Sequence, residues 1–243
     1  YNEGGKTKKM LELYEELVIF HPKKKYWTQL SGIYGELNQE DNQLTALEAA
    51  FDQELLDKKN EYTALYQLLM RAEAPYKAAK VMDYGIKKGF VEDDEKNLKM
   101  LAQGWHLAQE LEIAEPIYEK AAKKSEEGEL YVFLGQIYLA TDRYELAKET
   151  LKLGLKKGKL KDPVTVNILL GQVSYEQQNF VDATKFFRTA LDRLTDLKIK
   201  DKKLLEKRQD KLRAQALTWL TYTEKEAKRV KTLELRRKDL EES

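Results

Sequence analysis

The chain has 243 residues, with 43 Lys+Arg against 42 Asp+Glu, no Cys, 12 Gly and only 4 Pro. So few turn residues exclude a sandwich or barrel and point to an all-helical fold, while the lack of Cys excludes thiol catalysis, disulfides and Cys-ligated zinc. A net charge of +1 gives no global field to draw in nucleic acid or an acidic membrane, and no apolar run approaches the roughly 20 residues that span a bilayer.

In chain order, residues 6–22 read as one amphipathic helix, with Met10, Tyr14 and Leu17 along one face and Pro22 closing it. Five helix-turn-helix units follow, predicted at 24–57, 59–92, 95–127, 128–162 and 164–199. The last is the clearest: Leu170-Gly171, Tyr175, Phe180, Ala183, Phe187 and Ala190 recur at helical steps on either side of the polar turn Gln177-Gln178-Asn179. Gly89 and Gly158 stand where second helices end and are expected to take the left-handed conformation. Residues 200–243 should form one long helix. Its stripe of Leu212, Ala216, Trp219, Leu220 and Thr223 would cover the last hairpin, and its 14 Lys+Arg and 9 Asp+Glu interleave.

The spacing in 164–191 resembles the tetratricopeptide repeat, a helical hairpin of about 34 residues. The register repeats upstream: Ser31, Tyr66, Ala102, Gly135 and Gly171 occupy its eighth position at intervals of 35, 36, 33 and 36. The resemblance implies an all-α, right-handed superhelix running as a single solenoid over 1–243, with the long C-terminal helix as its cap. Tyr66 and Gln43 stand where small residues are usual, so the first two hairpins are expected to splay. Residues 1–22 then correspond to the second helix of a truncated repeat. Because the chain begins with Tyr, it is expected to be a fragment of a longer protein, with any signal peptide outside it.

Nothing in the sequence suggests an enzyme. His21 and His106 are far apart and lack carboxylates at ligand spacing, so neither a metal nor a cofactor is expected, and no phosphate-cradling loop or nucleophile elbow occurs. In the repeat family, the first helices line a concave groove. Position nine supplies Gln67, Gln103, Gln136 and Gln172, a ladder of amides suited to an extended peptide backbone, and the alternative is a merely solvated face. Thr63 and Lys99 (position five) and His106 and Tyr175 (position twelve) complete the expected protein-binding groove, in which Val132 and Ile168 make the C-terminal part more apolar.

Pro22 to Leu37 with Tyr26-Trp27-Thr28-Gln29-Leu30, Ala74-Pro75-Tyr76-Lys77-Ala78-Ala79-Lys80, Gly85-Ile86-Lys87-Lys88-Gly89, Asn97-Leu98, Leu101-Ala102 and Gly128-Glu129-Leu130-Tyr131 resemble the tetratricopeptide proteins encoded with a second TonB system in marine γ-proteobacteria. That resemblance implies a periplasmic accessory scaffold beside TonB, ExbB and ExbD. The other class left open is a cytoplasmic or envelope-assembly adaptor holding another protein. A small-molecule substrate, nucleic acid and a membrane span are not expected.

Overall fold

A computed structural model describes residues 3–242; Tyr1, Asn2 and Ser243, at the outer ends of the expected segments 1–22 and 200–243, lie outside the described residues. The described residues form twelve α-helices and one 3₁₀ turn, with no strand among them. The helices are α1 (Glu3–Phe20), α2 (Lys24–Glu36), α3 (Glu40–Asp52), α4 (Lys59–Arg71), α5 (Pro75–Lys87), α6 (Glu95–Leu107), α7 (Leu111–Lys124), α8 (Glu129–Ala140), α9 (Tyr144–Lys157), α10 (Pro163–Glu176), α11 (Phe180–Asp192) and α12 (Lys202–Glu241). One compact unit ends at Ile117 and a second begins at Tyr118, a division inside α7 just past its internal Pro116.

In the first unit α2 packs on α3 and α4 on α5, while α1 lies on α2, α3 on α4 and α5 on α6. The second unit repeats this alternation, with α8 on α9, α9 on α10, α10 on α11, and α12 closing over both α10 and α11. Within the units, α3, α5 and α9 therefore each bury one stripe within their own hairpin and another against the next helix, the arrangement that gives a repeat array its nearest-neighbour stability.

The hairpin turns explain how the chain does without glycine. Asn38, Glu73, Gln109, Asp142 and Gln178 all have φ between 55° and 63°, and they recur at the repeat intervals. After each comes a six-to-one backbone bond, such as Ala74 N–H to Leu69 O at 2.9 Å and Asn179 N–H to Ser174 O at 2.8 Å, which satisfies a carbonyl that the helix end would orphan. Gly89, at φ 79°, has the positive φ expected where a second helix closes, whereas Gly158, at φ 71° and ψ −155°, ends its helix in an extended conformation open to glycine and not in the left-handed helical one.

Small residues at position eight allow close approach within the hairpins. A Cβ built on Gly171 would lie 2.4 Å from the Phe187 ring, and one on Gly135 would lie 2.6 Å from Leu151 Cγ. Ser31 is buried at this position and donates from its hydroxyl to Gln43 O at 3.2 Å. Tyr66, also buried, sends its hydroxyl across to Met100 O on α6 at 2.6 Å, tying the second hairpin to the third.

Neighbouring first helices are also joined at their N-termini. Lys24 pairs with Asp57 and, at 3.0 Å, with Glu61; Lys59 reaches Glu92 at 3.0 Å and Asp94 at 3.3 Å; Arg208 of α12 grips Asp162 at 2.6 Å. Asp94 and Asp162 are themselves helix caps, accepting from Asn97 N–H and Thr165 N–H. A charge-assisted link thus joins the first hairpin to the second, the second to the third, and α12 to α10, each exposed pair contributing up to about 1 kcal/mol.

The two ends are finished differently. At the C-terminus, a 3₁₀ turn over Arg193–Asp196 buries Leu194 and leads into α12. There Leu212 and Ala216 join Val164, Ile168, Ala183, Phe187 and Ala190 in one cluster, with Trp219 and Leu220 packed against it. Trp219 stacks on Phe187 at 6.0 Å, and Thr223 is buried, so the expected capping stripe is the one observed. At the other end Val18 of α1 joins Leu30 and Ala46, with Leu11 and Tyr14 against them, and Tyr34 donates to Glu15 at 2.6 Å. Burial and that carboxylate push the Tyr34 hydroxyl pKa up to about 12. The opposite stripe of α1 stays open: Leu13 is 53 % exposed and Phe20 73 %.

Candidate functional site

The first helices α2, α4, α6, α8 and α10 carry the residues singled out for the groove, and the division at Ile117 distributes them. Gln67 and Thr63 on α4 and Lys99, Gln103 and His106 on α6 lie in the first unit; Gln136 on α8 and Tyr175 and Gln172 on α10 lie in the second. Gln67 is exposed, while Thr63, Lys99, Gln103, His106, Gln136, Gln172 and Tyr175 are half-buried. Helical geometry alone produces this. Position eight faces the partner helix of the hairpin, so position nine is turned some 100° towards its edge.

Two of these residues share a hollow. Thr63 and Gln67 of α4 face Lys96, Asn97 and Met100 of α6 across a space of about 400 Å³. The Thr63 hydroxyl donates to Asn60 O at 3.1 Å, leaving its lone pairs towards solvent. Burial holds His106 below the ordinary histidine pKa, so it is neutral at pH 7 and adds no charge to the middle of the array.

Elsewhere the packing differs from the groove expected at position five. Val132 and Ile168 are buried, at 8 % and 1 % exposure, and Ile168 belongs to the cluster under α12. They are packing residues, so the C-terminal first helices are less apolar at their surface than the sequence suggested. Tyr175 touches Phe180, Trp219 and Tyr222 at ring distances of 5.6–5.7 Å, which places it at the seam where α12 crosses α10. Burial first, and then the neighbouring Tyr222 and Glu226, raise its pKa.

Sequence reasoning missed Asn97 and Met100. Asn97 is fully buried, and its Nδ2 donates to Glu92 O at 2.9 Å. Its repeat position holds Glu61 in the preceding unit and Leu130 and Val166 in the two following ones, so the sequence pattern does not mark it.

Alternating hairpins, left-handed turn residues at the repeat interval and a small residue at position eight define one repeat type. Residues 128–156 match the family model of the tetratricopeptide repeat. The fold is that of a tetratricopeptide-type helical solenoid. Comparison with curated protein sequences gives no match. Among solved structures, the crystal structure of MamA superposes with a TM-score of 0.59 at 13 % identity, covering 69 % of this chain and 95 % of that one. A chain from the structure of Naa15/Naa10 bound to HypK-THB gives 0.62 at 21 % identity, over 79 % of this chain and 30 % of that one. YrrB, described as a TPR protein with an unusual peptide-binding site, gives 0.57 at 11 % identity, over 75 % and 92 %. At such identities the likeness is one of fold. Among the described residues there is no group of three or more His, Cys, Asp or Glu that could hold a metal ion, and no helix long and apolar enough to cross a membrane.

Proposed function

We propose that the chain is a non-enzymatic scaffold that binds an extended segment of a partner protein along its first helices, using Thr63, Gln67, Lys99, Gln103, His106, Gln136, Gln172 and Tyr175. The observation that carries this reading is the hollow between α4 and α6, where Thr63 and Gln67 open side by side onto solvent instead of packing into the core. An amide both donates and accepts, so Gln at one repeat position in four successive units can follow the alternating N–H and C=O of an extended backbone. Two structural neighbours support it: Naa15/Naa10 is bound to HypK-THB, and YrrB has an unusual peptide-binding site.

On the finer question of setting, the reading is a periplasmic accessory of a TonB system, working beside TonB, ExbB and ExbD. It rests on the sequence resemblance carried by Ala74–Lys80, Gly85–Gly89 and Gly128–Tyr131. Affinity capture from native periplasm with wild type and a Gln103→Ala, Gln136→Ala double variant tests both levels. The scaffold reading expects partners recovered by wild type to fall about 5- to 150-fold in affinity on the variant, two net hydrogen bonds being worth roughly 1–3 kcal/mol. Equal recovery would leave the ladder a solvated face, and partners lacking TonB, ExbB and ExbD would remove the TonB assignment while leaving the scaffold.

A further inference from the structure

Between α1, α2 and α3 lies a hollow of about 400 Å³ that uses none of the groove residues. Its floor is apolar: Val18, Leu30 and Ala46 are buried there, with Trp27 beside them, while Ile19 on the same lining is left 71 % exposed. An apolar hollow with a few polar groups converging on it is the usual form of a small-ligand site. Side chains from three helices wall it, so what it fits is a ring or a short alkyl chain and not a strand or a helix.

The polar side chains around it have already committed their protons. The Tyr34 hydroxyl donates to Glu15 Oε1 at 2.6 Å, Thr45 Oγ1 donates to Asp41 O at 2.9 Å, and Asn42 Nδ2 donates to Gln39 Oε1 at 3.0 Å. Trp27 Nε1 has no partner but is closed to solvent, so it offers an occupant nothing. Apart from the second N–H of Asn42, the hollow therefore presents lone pairs, on Glu15, Tyr34, Thr45 and the Asn42 carbonyl. Glu15 is also the one charged residue that lines it. Outside it, the exposed Glu12, Glu16 and Asp41 are balanced by the exposed Lys8, Lys23 and Lys25, while Glu48 is paired with Lys77, and Lys24 with Asp57 and Glu61. The sign inside the hollow is thus set by Glu15.

We infer that this hollow is a binding site for an apolar primary amine, whose ring or alkyl chain lies on Val18, Trp27 and Leu30 and whose ammonium donates to Glu15 and Tyr34. An ammonium carries three donors and no acceptor, which matches a rim of acceptors, and its bond to a carboxylate is charge-assisted. A carboxylate or phosphate would be repelled by Glu15, and a neutral apolar body would leave that charge facing it. The same chemistry is carried by a free aralkylamine and by the N-terminal residue of a polypeptide with an apolar side chain. The site stands apart from the groove, so it holds or fails independently of the scaffold reading.

The test titrates phenethylamine into the full chain in phosphate buffer and follows the indole N–H resonances, with that of Trp27 assigned by Trp27→Phe. The Trp27 resonance should move saturably at millimolar amine while those of Trp105 and Trp219 stay in place. Phenethyl alcohol, N-acetylphenethylamine and phenylpropionate should each bind at least about 10-fold more weakly, and Glu15→Gln, which keeps an acceptor for Tyr34, should weaken phenethylamine by the same factor. Alcohol binding as tightly as amine, or an affinity unchanged by Glu15→Gln, would overturn the amine assignment. A Trp27 resonance that ignores every probe, or indoles that all shift alike, would show that the hollow is no site. Should Glu15→Gln fail to fold, the comparison of probes on wild type decides. A tripeptide amide with N-terminal phenylalanine separates the two sources: binding that N-acetylation abolishes assigns the site to polypeptide N-termini, and no binding beside a bound phenethylamine assigns it to free amines.

Discussion

Lys59 Nζ stands 3.3 Å from Oδ2 of Asp94, while Oδ1 of the same carboxylate accepts the Asn97 N–H at 2.8 Å, so one side chain both caps α6 and tethers α4 to it. Burial alone would raise the pKa of Asp94. The backbone N–H and the Lys59 ammonium outweigh it and hold the group below the usual aspartate value. Stability from such a group is fully present above the unfolded pKa of about 3.9 and is lost as pH falls through the lower folded value. Asp94→Asn keeps a capping oxygen but no charge. It should cost less than about 1 kcal/mol at pH 7 and flatten the loss of stability below about pH 5. Urea unfolding between pH 2 and 7 measures this, and an unchanged acid limb would show that Asp94 is not coupled to Lys59.

The left-handed turn residues differ in how well they suit their conformation. Asn tolerates positive φ, whereas Glu73 and Gln109, at φ 55° and 63°, do so with a full Cβ in the way. Glu73→Gly and Gln109→Gly should each stabilise by roughly 0.5–1 kcal/mol, the relief of strain exceeding the entropy gained by the unfolded chain, and Asn38→Gly should be close to neutral. Denaturant midpoints would show the difference, and destabilisation at all three positions would contradict it.

Positions eight and nine of the repeat should respond oppositely to one added methyl. At Gly171 a Cβ would press into the Phe187 ring, which Trp219 already covers, so Gly171→Ala should cost about 1–3 kcal/mol. At Gly32, in the interior of α2, a Cβ would meet nothing within 4 Å, and Gly32→Ala should gain about 0.5–1 kcal/mol of helix propensity. Equal signs in thermal unfolding would mean that the repeat register is displaced.

Tyr66→Phe removes only the hydroxyl that bonds to Met100 O. The expected loss is about 0.5–1.5 kcal/mol, with no change of helix content by circular dichroism. Burial raises the pKa of this tyrosine to about 12, so the bond persists across the neutral and moderately alkaline range.

Hairpin positions, the long last helix and its capping stripe were legible because they depend on periodicity and small residues, which a sequence displays directly. The roles of Val132 and Ile168 were not. A family position says which way a residue starts to point, but its burial depends on how closely the next first helix approaches, and α10 comes close to α8 and carries α12 over it. Tyr66 adds a further case: its place in a small-residue slot gave no sign that its hydroxyl would bond to Met100 O of the next hairpin. Asn97 lies at a position outside the groove set, where the repeats carry Tyr26, Glu61, Leu130 and Val166 and no common chemistry points to it.

The stack of Trp219 on Phe187 also gives the fold a built-in optical reporter. The other two tryptophans sit elsewhere, Trp27 in the cluster beneath α1 and Trp105 edge-on to Tyr76, so each indole senses the polarity around a different hairpin. In an array held together by nearest neighbours, undocking of α12 would redden the emission of Trp219 alone while Trp27 and Trp105 kept their colour. The order in which the three bands shift during heating would therefore trace where melting begins and which way it travels.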